Sequence, residues 1–122
     1  MDKSPAVLLC GNDEETLVLR SKVLELAGIP VTKTRSEADA LRLLAGGDVR
    51  VVVLCHSLRE AQRTVMLKAA GAAEPRARAV VLCVPDIELS GRIDVVLTAM
   101  DGPAKLVAAV RRLEAEGAET KD

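Results

Sequence analysis

The chain has 122 residues, the length of one ordinary domain, which can bury a continuous core without disulfide or metal staples. Hydrophobic residues make up 49% and charged residues 29%, proportions that exclude a disordered chain and a membrane-spanning one. The 17 basic residues nearly balance the 18 acidic ones, and Phe, Tyr and Trp are absent, so we expect no nucleic-acid binding, which needs a basic surface or aromatic stacking.

The first residues also bear on location. MDKSPAVLLCG is followed at once by the charged GNDEE, unlike a signal peptide or a transmembrane helix. We therefore expect a cytoplasmic protein that does not bind a membrane. Three cysteines without a CxxC spacing indicate reduced thiols rather than a disulfide framework.

The first third of the chain predicts a strand, a helix and a second strand. Ala6 to Cys10 is a short apolar run that ends in Gly-Asn-Asp, which is typical of a buried parallel strand. Asp13 would cap a helix that Gly28 ends, and Val31 to Thr34 would form a brief second strand. The helix is expected to turn these apolar side chains inward: Leu17, Leu19, Val23, Leu24, Leu26 and Ala27.

The middle of the chain predicts a second helix and the central strand. Ser36 and Asp39 resemble a capping box at the helix start, and Gly46-Gly47 would end the helix. Its expected inward side chains are Ala38, Leu41, Leu44 and Ala45. Val49 to Cys55 is the strongest β-branched run and is expected at the sheet centre.

The last part predicts two more strands and two more helices. Ser57 with Glu60 reads as a capping box that opens a third helix, and Gly71 would end it. Ala79 to Val84 and Asp94 to Leu97 are the fourth and fifth strands. Gly102-Pro103 leads into a final helix, whose expected inward side chains are Leu106, Ala109, Val110 and Leu113.

Strands that alternate with helices predict a single α/β domain, a five-stranded doubly wound parallel sheet over residues 1–116. Residues 117–122 read as a flexible C-terminal tail. One connection departs from the pattern, because only Pro85 to Ile93 separate the fourth and fifth strands. A normal crossover needs about a dozen residues or more, so we expect the fourth crossover helix to be shortened or absent.

The segments VLLCGNDEETLVLRSKVLELAG and RVVVLCHSL, with five alternating strands, resemble the receiver domain of bacterial two-component response regulators. The resemblance covers essentially the whole chain and implies a flavodoxin-like sheet of order 2-1-3-4-5. In that family the first strand ends in an acidic pair that binds magnesium, and the third ends in the phosphoacceptor aspartate. The fourth strand ends in Thr or Ser and the fifth in Lys-Pro.

Aligned with this chain, those motifs fall on residues of other chemical types. The acidic pair falls on Gly11 and Asn12, with Asp13 beside them, and the phosphoacceptor on Cys55 or, with a one-residue slip, His56. The resemblance therefore implies a degenerate, or pseudo-, receiver with a vestigial phosphoacceptor pocket. Its residues would be Gly11, Asn12, Asp13, Cys55, His56, Val84 in the Thr/Ser position and Ala99, with Met100, in the Lys position.

The resulting functional hypothesis is a stand-alone module for signal transduction that acts without phosphorylation. We expect no enzymatic activity and no cofactor. Its work would be to bind a protein partner or to self-associate as a homodimer, through aliphatic surface near the fourth and fifth strands.

The cysteines leave a second hypothesis open. Cys10, Cys55 and Cys83 each lie at or near the carboxyl end of a predicted strand, and the carboxyl edge of such a sheet is where ligands bind. Together with His56 they would form a metal- or redox-sensing site. The alternative for all three thiols is that they pack as small core residues.

Overall fold

A computed structural model describes residues 7–83, 92–98 and 101–119. Strands and helices alternate along these ranges. The strands are β1 (Val7–Cys10), β2 (Val31–Thr34), β3 (Val51–Leu54), β4 (Arg78–Cys83) and β5 (Val95–Thr98). The helices are α1 (Glu14–Leu26), α2 (Glu37–Ala45), α3 (Glu60–Ala72) and α4 (Gly102–Glu119).

The five strands form one parallel sheet of order β2-β1-β3-β4-β5, which confirms the predicted fold and strand order. In the register, Val7 lies beside Val51 of β3, and Val51 lies beside Arg78 of β4. The bounds of β2 are as predicted, and the ends of the other strands differ from the sequence prediction by at most two residues. Every residue of β1 and β3 is buried, as central parallel strands covered on both faces require.

Alternate residues of the strands belong to two separate apolar cores, one on each face of the sheet. Leu8 and Val52 belong to the core that lies under α2 and α3. Leu9 and Val53 belong to the core under α1 and α4, where Leu106, Ala109, Val110 and Leu113 of α4 are buried as predicted. Both helical layers are therefore held by side chains of the same three central strands.

Helix α1 buries a narrower face than predicted. Leu17, Ser21 and Leu24, spaced four and three residues apart, are buried, but Leu19 is 65% exposed and Leu26 is 88% exposed. The prediction that these two leucines point inward is wrong, because a helix packed on one flat sheet turns only one face toward it. In α2 the same applies to Ala38 and Ala45, which are exposed, while Ala40 and Leu44 are buried.

The ends of α3 also differ from the prediction. The helix begins at Glu60 with Arg59 as its N-cap residue, and the Arg59 amide donates to Gln62 Oε1 at 3.0 Å. Ser57 is not the cap, since its hydroxyl is bound elsewhere. Gly71 lies inside the helix rather than ending it. At the start of α2, by contrast, Ser36 Oγ accepts from the Asp39 amide at 3.1 Å, as predicted.

Gly47 closes α2 where no other residue would fit without a shift. Its φ is +81°, and a Cβ atom there would lie 2.9 Å from the backbone oxygen of Glu74. The left-handed conformation and the close approach together require glycine.

Two expectations about the second half of the chain concern residues that lie wholly or partly outside the described ranges. The expected shortening of the fourth crossover concerns residues 84–91, which lie outside them. Helix α4 continues to Glu119, so the first three residues of the predicted tail are helical, and residues 120–122 lie outside the described ranges. No helix within those ranges is long and apolar enough to cross a membrane.

A partly buried ion pair fixes the start of β5 to β4. Both guanidinium terminal nitrogens of Arg76 donate to the Asp94 carboxylate, at 3.1 and 3.0 Å. The Ala79 amide donates to the same carboxylate at 2.8 Å. Asp94 therefore carries three hydrogen bonds that join the two strands at the amino edge of the sheet.

We predict that Asp94→Asn lowers the free energy of unfolding by about 2 kcal/mol, the usual contribution of charge-assisted hydrogen bonds. Asp39→Asn is the matched control, because Asp39 pairs with Arg42 at the surface, where such pairs contribute less than about 1 kcal/mol. Urea unfolding of both variants measures the difference. Equal losses of unfolding free energy in the two variants would contradict the stabilising role of the Asp94 hydrogen bonds.

The same pair predicts a pH dependence. Burial alone would raise the pKa of the Asp94 carboxyl, but hydrogen bonds from Arg76 and the Ala79 amide, with the charges of Arg76 and Arg78, lower it overall. A lowered folded-state pKa stabilises the fold above the unfolded value of about 3.9 and loses that contribution as the pH falls. The stability gap between wild type and Asp94→Asn should therefore shrink below about pH 4.

Candidate functional site

Two loops meet at the carboxyl edge of the sheet, because the strands that they follow are neighbours. Gly11, Asn12 and Asp13 follow β1, and Cys55, His56 and Ser57 follow β3. The first contact between them continues the sheet pairing, with the Cys55 amide donating to the Cys10 carbonyl at 2.9 Å. The structure thus brings together the parts of the predicted pocket that come from β1 and β3.

The Ser57 hydroxyl joins the two loops. Its Oγ accepts from the Asn12 amide at 2.8 Å and from the Asp13 amide at 3.3 Å. These amides stand at the start of α1, where backbone donors have no partner within the helix. Ser57 therefore caps the helix that follows the other loop.

The Asn12 side chain makes the second connection. Its Nδ2 donates to the Ser57 carbonyl at 2.9 Å and to Gln62 Oε1 at 2.8 Å. Gln62 Oε1 also accepts from the Arg59 amide, so one amide oxygen ties the β1 loop to the start of α3. Both donor positions of the Asn12 amide are thereby used within the protein.

Gly11 fits closely between the loops. It is buried, and a Cβ atom at this position would lie 3.0 Å from Ser57 Oγ, 3.1 Å from Cys55 Cβ and 3.3 Å from Leu17 Cδ2. Any side chain here would push the two loops apart. The residue types at positions 11, 12 and 57 therefore depend on one another.

Asp13 is the one carboxylate in these two loops. It is exposed, its Oδ2 accepts from the Thr16 hydroxyl, and this hydrogen bond is the main reason that its pKa lies below the ordinary value, with a smaller contribution from His56. The magnesium ion implied by the receiver resemblance needs several oxygen ligands. Where the resemblance implies two acidic ligands and an aspartate, these loops hold one carboxylate, that of Asp13, so the charged oxygen ligands of the implied magnesium site do not fit here.

Cys55 and His56, the two candidate acceptor positions, differ in environment. Cys55 is 1% exposed, and burial raises the pKa of its thiol, although the nearby Arg20 guanidinium offsets part of that shift. His56 is exposed. Neither the buried thiol nor the exposed imidazole stands in for an aspartate held among magnesium ligands.

The three cysteines lie on different faces of the sheet. Cys10 and Cys83 belong to the core under α2 and α3, whereas Cys55 belongs to the core under α1 and α4. Burial, with the neighbouring Cys55, raises the pKa of Cys10 to about 12. The described residues, which include all three cysteines and His56, hold no group of three or more His, Cys, Asp or Glu that could bind a metal ion.

Two predicted pocket residues lie outside the described ranges, and three residues near the site were not predicted to belong to it. Val84 and Ala99 lie outside the described ranges. Sequence reasoning took Ser57 for a cap of its own helix and did not single out Gln62 or Arg20. Gln62 could have been found from the sequence, since a Gln three residues after an N-cap is half of a capping box. Arg20 could have been found from its spacing of three residues from the buried Leu17, which places the two on one side of the helix.

Solved structures of other proteins have a fold similar to that of this chain. A signal receiver domain of an HD domain-containing protein from Pseudomonas fluorescens is 22% identical, with a TM-score of 0.80 over 96% of this chain and 99% of that one. A CheY-like response regulator receiver domain from Methanospirillum hungatei is 14% identical, with a TM-score of 0.81 over 97% and 99%. The receiver domain of Francisella response regulator 1452 is 21% identical, with a TM-score of 0.77 over 96% and 99%.

The chain has the receiver fold. No protein-family model matches the sequence, and no curated protein matches it significantly, so the likeness is one of structure. Within the receiver fold, the loops after β1 and β3 are the ones on which the sequence resemblance placed the acidic pair and the phosphoacceptor. Here those two receiver loops are joined by Asn12 and Ser57.

We predict that Asn12 and Ser57 are energetically coupled. Ser57→Ala leaves two amides without their acceptor and should cost about 1–3 kcal/mol of unfolding free energy. In a double-mutant cycle with Asn12→Ala, the coupling should exceed about 0.5 kcal/mol. A cycle of Ser57→Ala with Thr64→Ala, an exposed position on α3, should be additive. Additivity in the Asn12–Ser57 cycle as well would mean that the two residues stabilise the fold independently, which would contradict the prediction.

The thiols provide a second prediction. All three cysteines are buried, so we expect Ellman's reagent to modify the native protein far more slowly than the protein unfolded in guanidinium, where all three should react. The measurement also bears on the redox hypothesis. A native thiol that reacted at neutral pH as fast as an unfolded one would favour a redox sensor.

Proposed function

We propose that this receiver-like chain is a signalling module that binds a protein partner without being phosphorylated. The observation that carries the proposal is the junction between the two loops. Cys55 and His56 stand where the resemblance places the phosphoacceptor aspartate, and Ser57 and Asn12 are bonded to each other across the pocket.

The donor set supports the absence of phosphotransfer. Transfer of a phosphoryl group to a carboxylate needs a magnesium ion on oxygen ligands and a cation that neutralises the developing charge. The two loops supply one carboxylate, that of Asp13, and its Oδ2 is engaged with Thr16. The charge of Arg20 lowers the pKa of Cys55. This cation therefore lies beside a thiol rather than a carboxylate.

Exposed aliphatic side chains offer a contact surface for a partner. Val96 on the edge strand β5 is 50% exposed, in the region where the sequence predicted the interaction. A chain without aromatic residues lacks the usual Trp and Tyr anchors, so its contacts would be aliphatic. Self-association through β5 is one form of the same proposal.

Acetyl phosphate tests the first half of the proposal. With magnesium and radiolabelled acetyl phosphate, we expect no stable label on the protein, while a receiver domain that retains its aspartate is labelled under the same conditions. Label on the wild type would contradict the proposal. The His56→Asn variant then identifies whether the imidazole carries it, because that label would disappear in this variant.

Capture from the cells that make the protein tests the second half. We expect a partner, or a second copy of the chain, to be retained equally with and without phosphodonor, and Val96→Asp to reduce retention at least tenfold. Val65→Asp is the matched control, since Val65 is 39% exposed but lies on α3. Retention that required phosphodonor, or no partner and no self-association at all, would overturn the proposal.

A further inference from the structure

A cavity of about 230 Å³ lies between α1 and α4, at the carboxyl ends of β4 and β5. Its walls are mainly aliphatic. Among the described residues the apolar lining consists of Leu19, Val23, Leu82, Leu97, Pro103 and Leu106. Such a volume with aliphatic walls suits a compact apolar group.

One cation, Arg20, stands among these apolar side chains. Its Nη1 atom is buried and has no hydrogen-bond partner in the described part of the chain. A guanidinium donor that is withdrawn from water and left without an acceptor costs free energy, so it calls for an explanation. None of the described residues that line the cavity is acidic.

No ion pair within residues 7–83, 92–98 and 101–119 neutralises the charge of Arg20. The Arg20 side chain hydrogen-bonds the Cys55 thiol, but burial raises the pKa of that thiol, so the thiol brings no negative charge to the guanidinium near pH 7. Asp101 precedes Gly102, which lines the cavity. Its carboxylate accepts hydrogen bonds from the Thr98 amide and hydroxyl, at 2.7 and 3.3 Å. The described lining therefore combines apolar side chains with one cation that has no ion-pair partner among the described residues.

We propose that this cavity binds a small carboxylate with a compact aliphatic body, whose carboxylate accepts hydrogen bonds from the Arg20 guanidinium. A neutral apolar ligand would leave that guanidinium without an acceptor. A phosphate ester would bring more charge than one cation neutralises and a polar body that the aliphatic walls do not match. The site adjoins the β3 loop through Arg20 and Cys55, but none of residues 11–13 and 55–57 of the two loops lines the cavity, and binding there goes beyond the proposed interaction with a protein.

Cyclohexanecarboxylate is the probe, and cyclohexanecarboxamide is its uncharged control of the same shape. In a methyl-resolved NMR titration, we expect the carboxylate to shift the methyl signals of Val23, Leu97 and Leu106 with one saturable binding curve. The amide should bind at least about tenfold more weakly, because it has no negative charge to pair with the guanidinium. Equal binding of the two probes, or no saturable shift at these methyl groups, would overturn the proposal.

Two variants and a control locate the site. Arg20→Gln should weaken binding of the carboxylate about tenfold while leaving that of the amide unchanged. Arg50→Gln removes an exposed cation at the start of β3 and should change neither. Val23→Phe fills the cavity and should abolish binding of both probes, which keeps the test decisive if Arg20→Gln does not fold. Unaltered carboxylate affinity in Val23→Phe would place the ligand elsewhere and contradict the proposal.

Discussion

The parallel pairing of β1 with β3 is the constraint on which the rest of the structure depends. It sets Cys10 beside Leu54, and the next residues along both strands then have to share one edge of the sheet. The hydrogen bonds of Ser57 to the start of α1, and of Asn12 to the start of α3, follow from that register. Two helices on opposite faces of the sheet are thereby fixed to one junction.

Much of this architecture is encoded in local patterns. The apolar runs at β1, β3 and β4 predict buried strands, and their alternation with helices predicts the sheet. Local patterns do not predict which face of α1 meets the sheet, because Leu19 and Leu26 are as apolar as Leu17 and Leu24; only tertiary packing decides. Ser57 likewise matches a cap of α3 in the sequence, yet its partner, the Asn12 amide, is 45 residues away.

Arg20 links the two regions for which roles are proposed. Its guanidinium acts on the buried Cys55 thiol at the end of β3, and its side chain also lines the cavity between α1 and α4. In a fold where the carboxyl edge carries the chemistry, this side chain reaches from that edge to the neighbouring apolar space. The candidates indicated by the sequence lie near the carboxyl ends of strands or in the loops that follow them, and no motif indicates a residue in the middle of α1.

The central claim is that the Asn12–Ser57 junction takes the place of a phosphoryl-accepting pocket. Beryllium fluoride, which mimics a phosphoryl group on an aspartate, tests it most directly in an amide NMR titration with magnesium. The account predicts that the signals of residues 11–13 and 55–57 do not move. Saturable shifts of those signals, with magnesium required, would contradict it.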